Sequence, residues 1–358
     1  MTNRSRIWPW WMYAATGYLL VWVVIAFFAP WVSVDKTYLA NNQVVELARR
    51  PPGTRAWLLV VPLAGQATVR SHAFWLGKTP SSRPIPLRNV SVAVKGEYLT
   101  YKTLAGVESR IALDRLSPEK KAPGQEWDPP VQSVFFPLGT DTYGRDLWSR
   151  LAHGSRISLG VGLAAMVLSI SLGVFAGALA GFFGGWTDRI VMWFVSVVWS
   201  IPTLLLALAL SFVLGKGLGQ LMLAIGLSIW IDTARLVRGQ LMGLREQTFA
   251  EAARSLGIRR IRILWRHLLP NVWAPILVMS VSNFGSAILI ESGLSFLGLG
   301  VEAPVPSWGS MIYEGYTQIM FESGVWLAFI PGLCLILLVV SVNLVGIGLR
   351  DQLDIRPT

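Results

Sequence analysis

Residues Ile157–Thr187 read ISLGVGLAAMVLSISLGVFAGALAGFFGGWT and contain no charged side chain. A bilayer core takes about 20 apolar residues in helical form, so this stretch is long enough to cross a membrane. Four further charge-free stretches have a comparable length: Trp10–Val32, Ile190–Gly215, Leu268–Ile290 and Ser323–Leu349. A shorter one, Gly217–Ile231, is either a fourth span in chain order or a re-entrant segment. The pattern predicts an all-α polytopic membrane protein with about six transmembrane helices.

The composition of the chain also favours a membrane protein. Among its 358 residues, 53% are hydrophobic and only 14% are charged, against about 25% charged in an ordinary globular domain. The single cysteine, Cys334, excludes an intrachain disulfide, and the three histidines lack the spacing of metal ligands. We therefore expect neither a disulfide framework nor a metal site.

The distribution of arginine predicts the orientation in the membrane. Eight arginines lie between the fourth and fifth predicted spans: Arg235, Arg238, Arg245, Arg254, Arg259, Arg260, Arg262 and Arg266. The loop between the fifth and sixth spans carries Glu302, Glu314 and Glu322 and no basic residue. Because cytoplasmic loops are enriched in basic residues, the arginine-rich segment and both termini are expected in the cytoplasm. The net charge of +11 then needs no nucleic-acid partner.

The polar segment between the first two spans predicts a separate insert. The stretch Val90–Thr103 alternates apolar and polar residues and Ala56–Leu63 is apolar, so both are expected to form strands. The predicted organisation is a cytoplasmic N-terminus with the first helix (1–32), a β-containing extracytoplasmic insert (33–150), a five-helix core (151–350) and a cytoplasmic tail (351–358). The core contains a cytoplasmic loop over 232–271.

Within that loop, Glu246–Asn271 reads EQTFAEAARSLGIRRIRILWRHLLPN. Thr248 and Glu251 have the spacing of a capping box, and the alanines after them favour a thin helix. Gly257 is placed to end that helix. Such a helix can enter a groove on another protein or, alternatively, lie on anionic lipid.

Two sets of motifs resemble a known family. Glu251-Ala252-Ala253, Gly257 and Leu269-Pro270 resemble the EAA loop of permeases in binding-protein-dependent ABC importers. The segments Leu138–Asp141, Gly144–Asp146 and Leu294–Gly300 are similar to the C-type permeases of the dipeptide, oligopeptide and nickel importers. The resemblance covers about Pro137–Asp354 and the first span.

The resemblance implies a permease subunit that forms half of a translocation pathway for peptides. The alternatives are nickel or another small solute and, from a different class, an ion-coupled secondary transporter. Implied partners are a second homologous permease, two ATPase subunits that hold ATP and Mg, an extracytoplasmic solute-binding protein and the lipid bilayer of a bacterial inner membrane. The chain itself is expected to carry no catalytic residue and no cofactor. The residues implied in coupling to the ATPase are Thr248, Ala250, Glu251, Ala252, Ala253, Leu256, Gly257 and Pro270.

Several residues inside the predicted spans are unusual for a lipid environment. Glu291 and Asn283 lie two turns apart on nearly the same helix face, where they either line the translocation path or form structural hydrogen bonds. Glycines 173, 177 and 181 are spaced by four, as in close helix packing. Pro202 and Pro275 are expected to bend their helices.

Overall fold

The computed structural model describes residues 9–62, 82–88, 93–95, 98–116, 130–320 and 324–353. Its α-helices in chain order are α1 Trp10–Phe27, α2 Ala29–Val32, α3 Leu147–Ala178, α4 Gly185–Trp199, α5 Thr203–Leu214, α6 Leu218–Gly226, α7 Trp230–Arg245, α8 Thr248–Ser255, α9 Arg260–Ile263, α10 Leu269–Phe296, α11 Trp308–Tyr316 and α12 Val325–Leu353. Two π-helical turns, Leu179–Phe183 and Leu264–Leu268, extend α3 and join α9 to α10.

Within the described residues, five helical stretches are long and apolar enough to cross a membrane: Trp10–Phe27, Leu147–Phe183, Leu218–Arg245, Arg260–Phe296 and Val325–Leu353. Helices α4 and α5 pass the same test only as a pair, with a bend of 91° between them. Six spans result if this pair is counted as one, in agreement with the sequence. The break falls in the third span, whereas Gly217–Ile231, apart from its first residue, belongs to the stretch Leu218–Arg245, which is long and apolar enough to cross a membrane.

Proline accounts for that break. Pro202 stands before the first residue of α5 with an extended ψ of 129°, and it lacks the amide hydrogen that a continuing helix needs. Pro275 and Pro331 lie inside α10 and α12 without dividing them. A proline can therefore either divide an apolar span into two helices or lie within one helix. The absence of charge in the sequence does not distinguish these two cases.

Six strands form two small antiparallel sheets in the described part of the segment between the first two spans. They are β1 Thr54–Pro62, β2 Ser82–Leu87, β3 Ala93–Lys95, β4 Tyr98–Lys102, β5 Glu108–Ala112 and β6 Val131–Phe136, in the orders β2-β1-β6 and β3-β4-β5. The predicted strands correspond to β1, β3 and β4, although Leu63 and part of 90–103 lie outside the described residues. Strand β2 contains Pro84 and Pro86. These prolines are tolerated because β2 lies at an edge of its sheet, where a missing amide hydrogen bond is acceptable.

The chain divides into two compact units. One comprises 1–23, 157–302 and 332–358, and the other comprises 24–156 and 303–331. The predicted insert of 33–150 is therefore only part of the second unit, because 303–331 clusters with it. Buried polar contacts between distant stretches of sequence explain why this segment belongs there.

A ring of four charged groups joins the two stretches of the second unit. Arg150 donates to Asp141 at 2.6 Å and to both oxygens of Glu314 at 2.6 and 3.0 Å. Arg145 donates to the same two acids, at 2.6 Å to Asp141 and 2.9 Å to Glu314. The side chains of both arginines and of Asp141 are at most 4% exposed, so the charges compensate one another away from water. Trp308, fully buried, adds a hydrogen bond of 3.0 Å to the carbonyl of Leu151.

In the first unit, α3 and α7 meet at the glycines that the sequence singled out. An added Cβ at Gly173 would lie 2.4 Å from Cβ of Thr233, and one at Gly181 would lie 2.7 Å from the carbonyl oxygen of Arg238. Such distances are shorter than real Cβ atoms accept, so this interface requires glycine. The predicted role of the glycine series in close packing is confirmed.

Candidate docking site

Helix α8, Thr248–Ser255, is the short helix that the sequence predicted, but its first turn differs from the prediction. Gln247 is the N-cap residue, with φ −80° and ψ 154°, and it makes no side-chain capping hydrogen bond. Its carbonyl instead accepts from the amides of Ala250 and Glu251 at 3.0 and 3.1 Å. The predicted capping box of Thr248 and Glu251 is therefore wrong: the helix begins one residue earlier, which moves both residues out of register.

The end of α8 follows the predicted stop at Gly257. This glycine has φ +72°, the left-handed region that residues with a Cβ enter at a cost. Its amide donates to the carbonyl of Arg254 at 3.0 Å, and the next amide, of Ile258, donates to Ala253 at 3.3 Å. This pair of bonds is the Schellman motif, which satisfies the last carbonyls and turns the chain away from the helix.

Helix α8 has one face against its own chain and one face in the open. Ala250 and Ala253 are 1% and 7% exposed and belong to a buried cluster with Val237, Leu241, Ile263, Leu264, Leu268, Leu269, Val272 and Ile276. Thr248, Glu251, Ala252 and Leu256 are exposed, Leu256 by 79%. Because alanine is short, the buried face allows α8 to lie close to the helices beneath it while the other face stays accessible.

Pro270 is the last residue in sequence among those predicted to couple to the ATPase. It lies exposed in the first turn of α10, directly after the π-helical turn Leu264–Leu268. The backbone remains helical from Arg260 to Phe296 through the π-helical turn, so Pro270 lies within a helical stretch, although the sequence placed it in the loop over 232–271. It is not a member of the buried cluster under α8.

Arginines fix α8 in place, a role that the sequence did not indicate. Arg254, in α8, donates to the carbonyl of Arg245 at the end of α7. Arg245 in turn donates to the carbonyl of Phe182 at 3.2 Å, in the π-helical turn after α3. Both arginines also line a cavity of about 310 Å³ beside α8, together with Glu246 and Arg260. In the sequence these arginines indicate only the orientation in the membrane, because a residue pattern does not show which backbone carbonyls they contact.

A salt bridge ties the bent third span to α7. Arg238 donates through Nε and Nη2 to the two carboxylate oxygens of Asp188, at 2.5 and 2.7 Å. The two-point geometry fixes orientation as well as distance. It holds α4 against the helix that leads directly into α8.

The predicted translocation-path residues both lie inside the helix packing of the first unit. Glu291 is fully buried and accepts from Ser158 at 3.2 Å and from Ser295 at 2.8 Å. Asn283 is 5% exposed and donates to Ser169 at 2.9 Å and to Thr233 at 3.0 Å. These bonds connect α10 to α3 and α7. Glu291 and Asn283 therefore both form hydrogen bonds between helices. Their role in lining the translocation path stays a prediction.

The fold and the site together define a class of protein: a polytopic membrane transport subunit with a small helix fixed outside its spans. The chain belongs to the family of binding-protein-dependent transport system inner membrane components, whose profile matches residues 173–356. The EAA motif and the coupling helix are typical features of this family. The match includes α8 and the packing beneath it.

Curated relatives match over a longer part of the chain. The oligopeptide transport system permease protein OppC of Bacillus subtilis is 40% identical over 226 residues, which cover 63% of this chain and 73% of OppC. The glutathione transport system permease protein GsiD of Pectobacterium atrosepticum is 39% identical over 217 residues, 61% of this chain and 71% of GsiD. Among solved structures, a chain of the inward-facing methionine ABC transporter MetNI matches 58% of this chain and 97% of its own length, with 18% identity and a TM-score of 0.49.

Proposed function

We propose that this chain is the permease half of an ABC importer for peptides and that α8 is the helix that docks on an ATPase subunit. The observation that carries the proposal is the division of α8 into two faces. Ala250 and Ala253 anchor it to the chain, while Glu251, Ala252 and Leu256 are exposed. Helix-in-groove recognition requires such an accessible face on a firmly held helix.

The distribution of residues on α8 argues against simple adsorption to lipid. An interfacial helix turns its broad apolar face to the bilayer and its basic face to water. In α8 the two buried alanines pack on the protein itself, and the accessible face carries the acidic Glu251 beside Ala252 and Leu256. A carboxylate on that face is unfavourable beside anionic headgroups and suitable for pairing with a basic residue of a partner.

The proposed role of this chain as one permease half implies further subunits. ATP and Mg belong to two partner ATPase subunits, and a second homologous permease supplies the other half of the pathway. An extracytoplasmic solute-binding protein delivers the solute. The arginine-rich segment and both termini lie in the cytoplasm, and the β-containing insert lies outside it.

The proposed solute is a di- or oligopeptide. The relatives named above are permeases for oligopeptides and for glutathione, and the match to each covers more than 60% of this chain. Nickel or another small solute is the alternative within the same class.

Uptake by right-side-out membrane vesicles that contain the complete transporter and are loaded with ATP tests the proposal. We expect ATP-dependent accumulation of a radiolabelled dipeptide or tripeptide, no accumulation of ⁶³Ni²⁺, and co-purification of an ATPase with the tagged chain. Nickel accumulation without peptide uptake would favour the alternative solute. Uptake that needs an ion gradient and no ATP would contradict the importer class. A protease site placed in the exposed turn between Gly106 and Val107 should be cut only from outside, and one placed at Gly257 only from inside.

A further inference from the structure

The second compact unit contains a cavity that takes no part in the proposed docking. It has a volume of about 460 Å³ and lies against the β2-β1-β6 sheet. Apolar side chains of the strands, among them Leu58, Val60, Val134 and Phe136, form one part of its lining. The volume is in the range of pockets that hold small organic ligands and is far larger than a metal ion requires.

Carboxylates form another part of the lining. Asp35 and Asp146 both border the cavity, with Lys36 as the cationic side chain among its described lining residues. Two carboxylates against one ammonium leave a formal charge of −1 at the cavity wall. The carboxylate oxygens of Asp35 accept from the amides of Thr37 and Asn42 at 2.9 and 3.0 Å, so this side chain is held in place.

Asp146 is the unusual member of the pair. It is 2% exposed, and its Oδ2 accepts from the amide of Ser149 at 2.8 Å and from the hydroxyl of the same residue. Its Oδ1 is buried and has no hydrogen-bond partner within the described part of the chain. A buried carboxylate oxygen without a donor is unfavourable, and more so when the group is charged. Burial raises the pKa of Asp146 to about 6, against the effect of the Ser149 hydrogen bonds, and nearby Asp35 adds to the increase.

We propose that this cavity binds the primary ammonium group of a small ligand with an apolar body, with Asp146 Oδ1 as the acceptor and the sheet face as the apolar surface. A peptide with a free N-terminus and an apolar side chain has this chemistry. The ammonium group and the apolar body of the ligand are inferred from the lining of the cavity, whereas the choice of a peptide rests on the proposed function. An ammonium supplies the donor that Oδ1 lacks and a charge opposite to that of the carboxylate pair.

Calorimetric titration of the purified full chain in nanodiscs tests this site with two probes. Leucylalanine amide carries the ammonium, and N-acetyl-leucylalanine amide has the same apolar body without it. We expect the free amine to bind at least tenfold more tightly than the acetylated probe. Equal or tighter binding of the acetylated probe, or no saturable binding of the amine, would overturn the proposal without any variant being needed.

Three substitutions locate the binding. Asp146→Asn keeps an acceptor for Ser149 and removes the charge, so amine affinity should fall about tenfold. Val60→Phe should reduce it by filling the apolar side of the cavity. Glu46→Gln changes an exposed acid of the same unit outside the cavity lining and should leave affinity unchanged. Unchanged affinity in both folded cavity variants, judged by thermal melting, would place the amine elsewhere and contradict the site.

The outcomes separate this site from the proposed function. Peptide uptake by vesicles together with no discrimination between the two probes would refute the ammonium site alone. Discrimination between the probes together with nickel-only uptake would refute the peptide importer and retain the site.

Discussion

An added Cβ at Gly177 would lie 2.5 Å from the carbonyl oxygen of Ala234, because α3 and α7 meet there with their backbones in contact. The same methyl group would lie 2.8 Å from Cβ of Val237. Neither neighbour is the flexible end of a side chain, so the two helices would have to separate. Close approach of small residues is a main source of association between helices in a membrane, where lipid is as apolar as the protein.

Gly177→Ala should therefore destabilise the chain, by about 1–3 kcal/mol on the scale of overpacked cores. Gly160→Ala is the matched control, because Gly160 lies in the same helix and has nothing within 4 Å of an added Cβ. The control should be neutral or slightly stabilising, since alanine favours a helix by about 0.5–1 kcal/mol over glycine. Thermal melting of the two purified variants measures the difference. Equal melting temperatures would contradict the close contact at Gly177.

The buried carboxylate of α10 leads to a second prediction. Ser158 donates to one carboxylate oxygen of Glu291 and Ser295 donates to the other. A glutamine at this position keeps one acceptor oxygen and offers an N–H to the second hydroxyl, whose oxygen can accept it. Glu291→Gln should therefore retain membrane levels and at least half of the uptake. Glu291→Leu should lower the melting temperature, because it leaves buried hydroxyls without their acceptor.

The uptake assay distinguishes the structural role of Glu291 from a role in the path. If Glu291→Gln folds normally and abolishes uptake, the negative charge is required and the residue contacts the solute or a coupled ion. Asn283→Leu gives a parallel test at the next polar position, where Ser169 and Thr233 would each lose a donor.

Hydropathy allowed the spans to be predicted because a bilayer excludes unpaired backbone groups and charges, and both constraints act on local sequence. The break in the third span was not predicted in full, although Pro202 was expected to bend the helix. The absence of charge shows that a segment is apolar, but it does not show the direction in which the helix axis runs. The bend of 91° depends on how α4 and α5 pack, which involves residues far away in sequence.

The start of α8 was predicted to within one residue, and the errors in its prediction also have physical causes. Gly257 was identified because a left-handed residue needs glycine, a purely local requirement. The capping box was placed one residue too late because Gln247 occupies the extended position without offering a side-chain bond. The contact of Arg254 with Arg245, and the contacts of Glu314 with Arg145 and Arg150, depend on the folded chain and have no short-range signal.

The charge ring of the second unit gives a third prediction. Removal of Arg150 leaves Asp141 and Glu314 with only Arg145 from the ring, and breaking a buried pair on one side costs about 3–5 kcal/mol. Arg150→Met should therefore markedly lower the melting temperature of the purified chain. Lys102→Met is the control, because its ion pair with Glu108 is more than half exposed and such pairs contribute about 0–1 kcal/mol. Similar shifts for the two variants would show that the ring does not stabilise the fold.

The final prediction concerns the turn after the docking helix. Gly257 has φ +72° and nothing within 4 Å of an added Cβ, so backbone conformation is the sole obstacle to substitution among the described contacts. Asparagine tolerates this region and valine does not. Gly257→Asn should therefore retain the Schellman turn, while Gly257→Val should redirect the chain between α8 and α9 and leave the spans intact.

The two variants are compared in membranes with matched levels of the chain. For Gly257→Val we expect ATPase co-purification to fall at least fivefold, or ATP hydrolysis to continue without uptake, while Gly257→Asn stays within twofold of the wild type. Glu251→Ala should weaken co-purification more mildly, through loss of an exposed charge, since Glu251 does not cap the helix. Full uptake and full ATPase association in Gly257→Val would require the docking role of α8 to be abandoned. Equal loss in the valine and asparagine variants would instead show that the position needs glycine for contact with the partner.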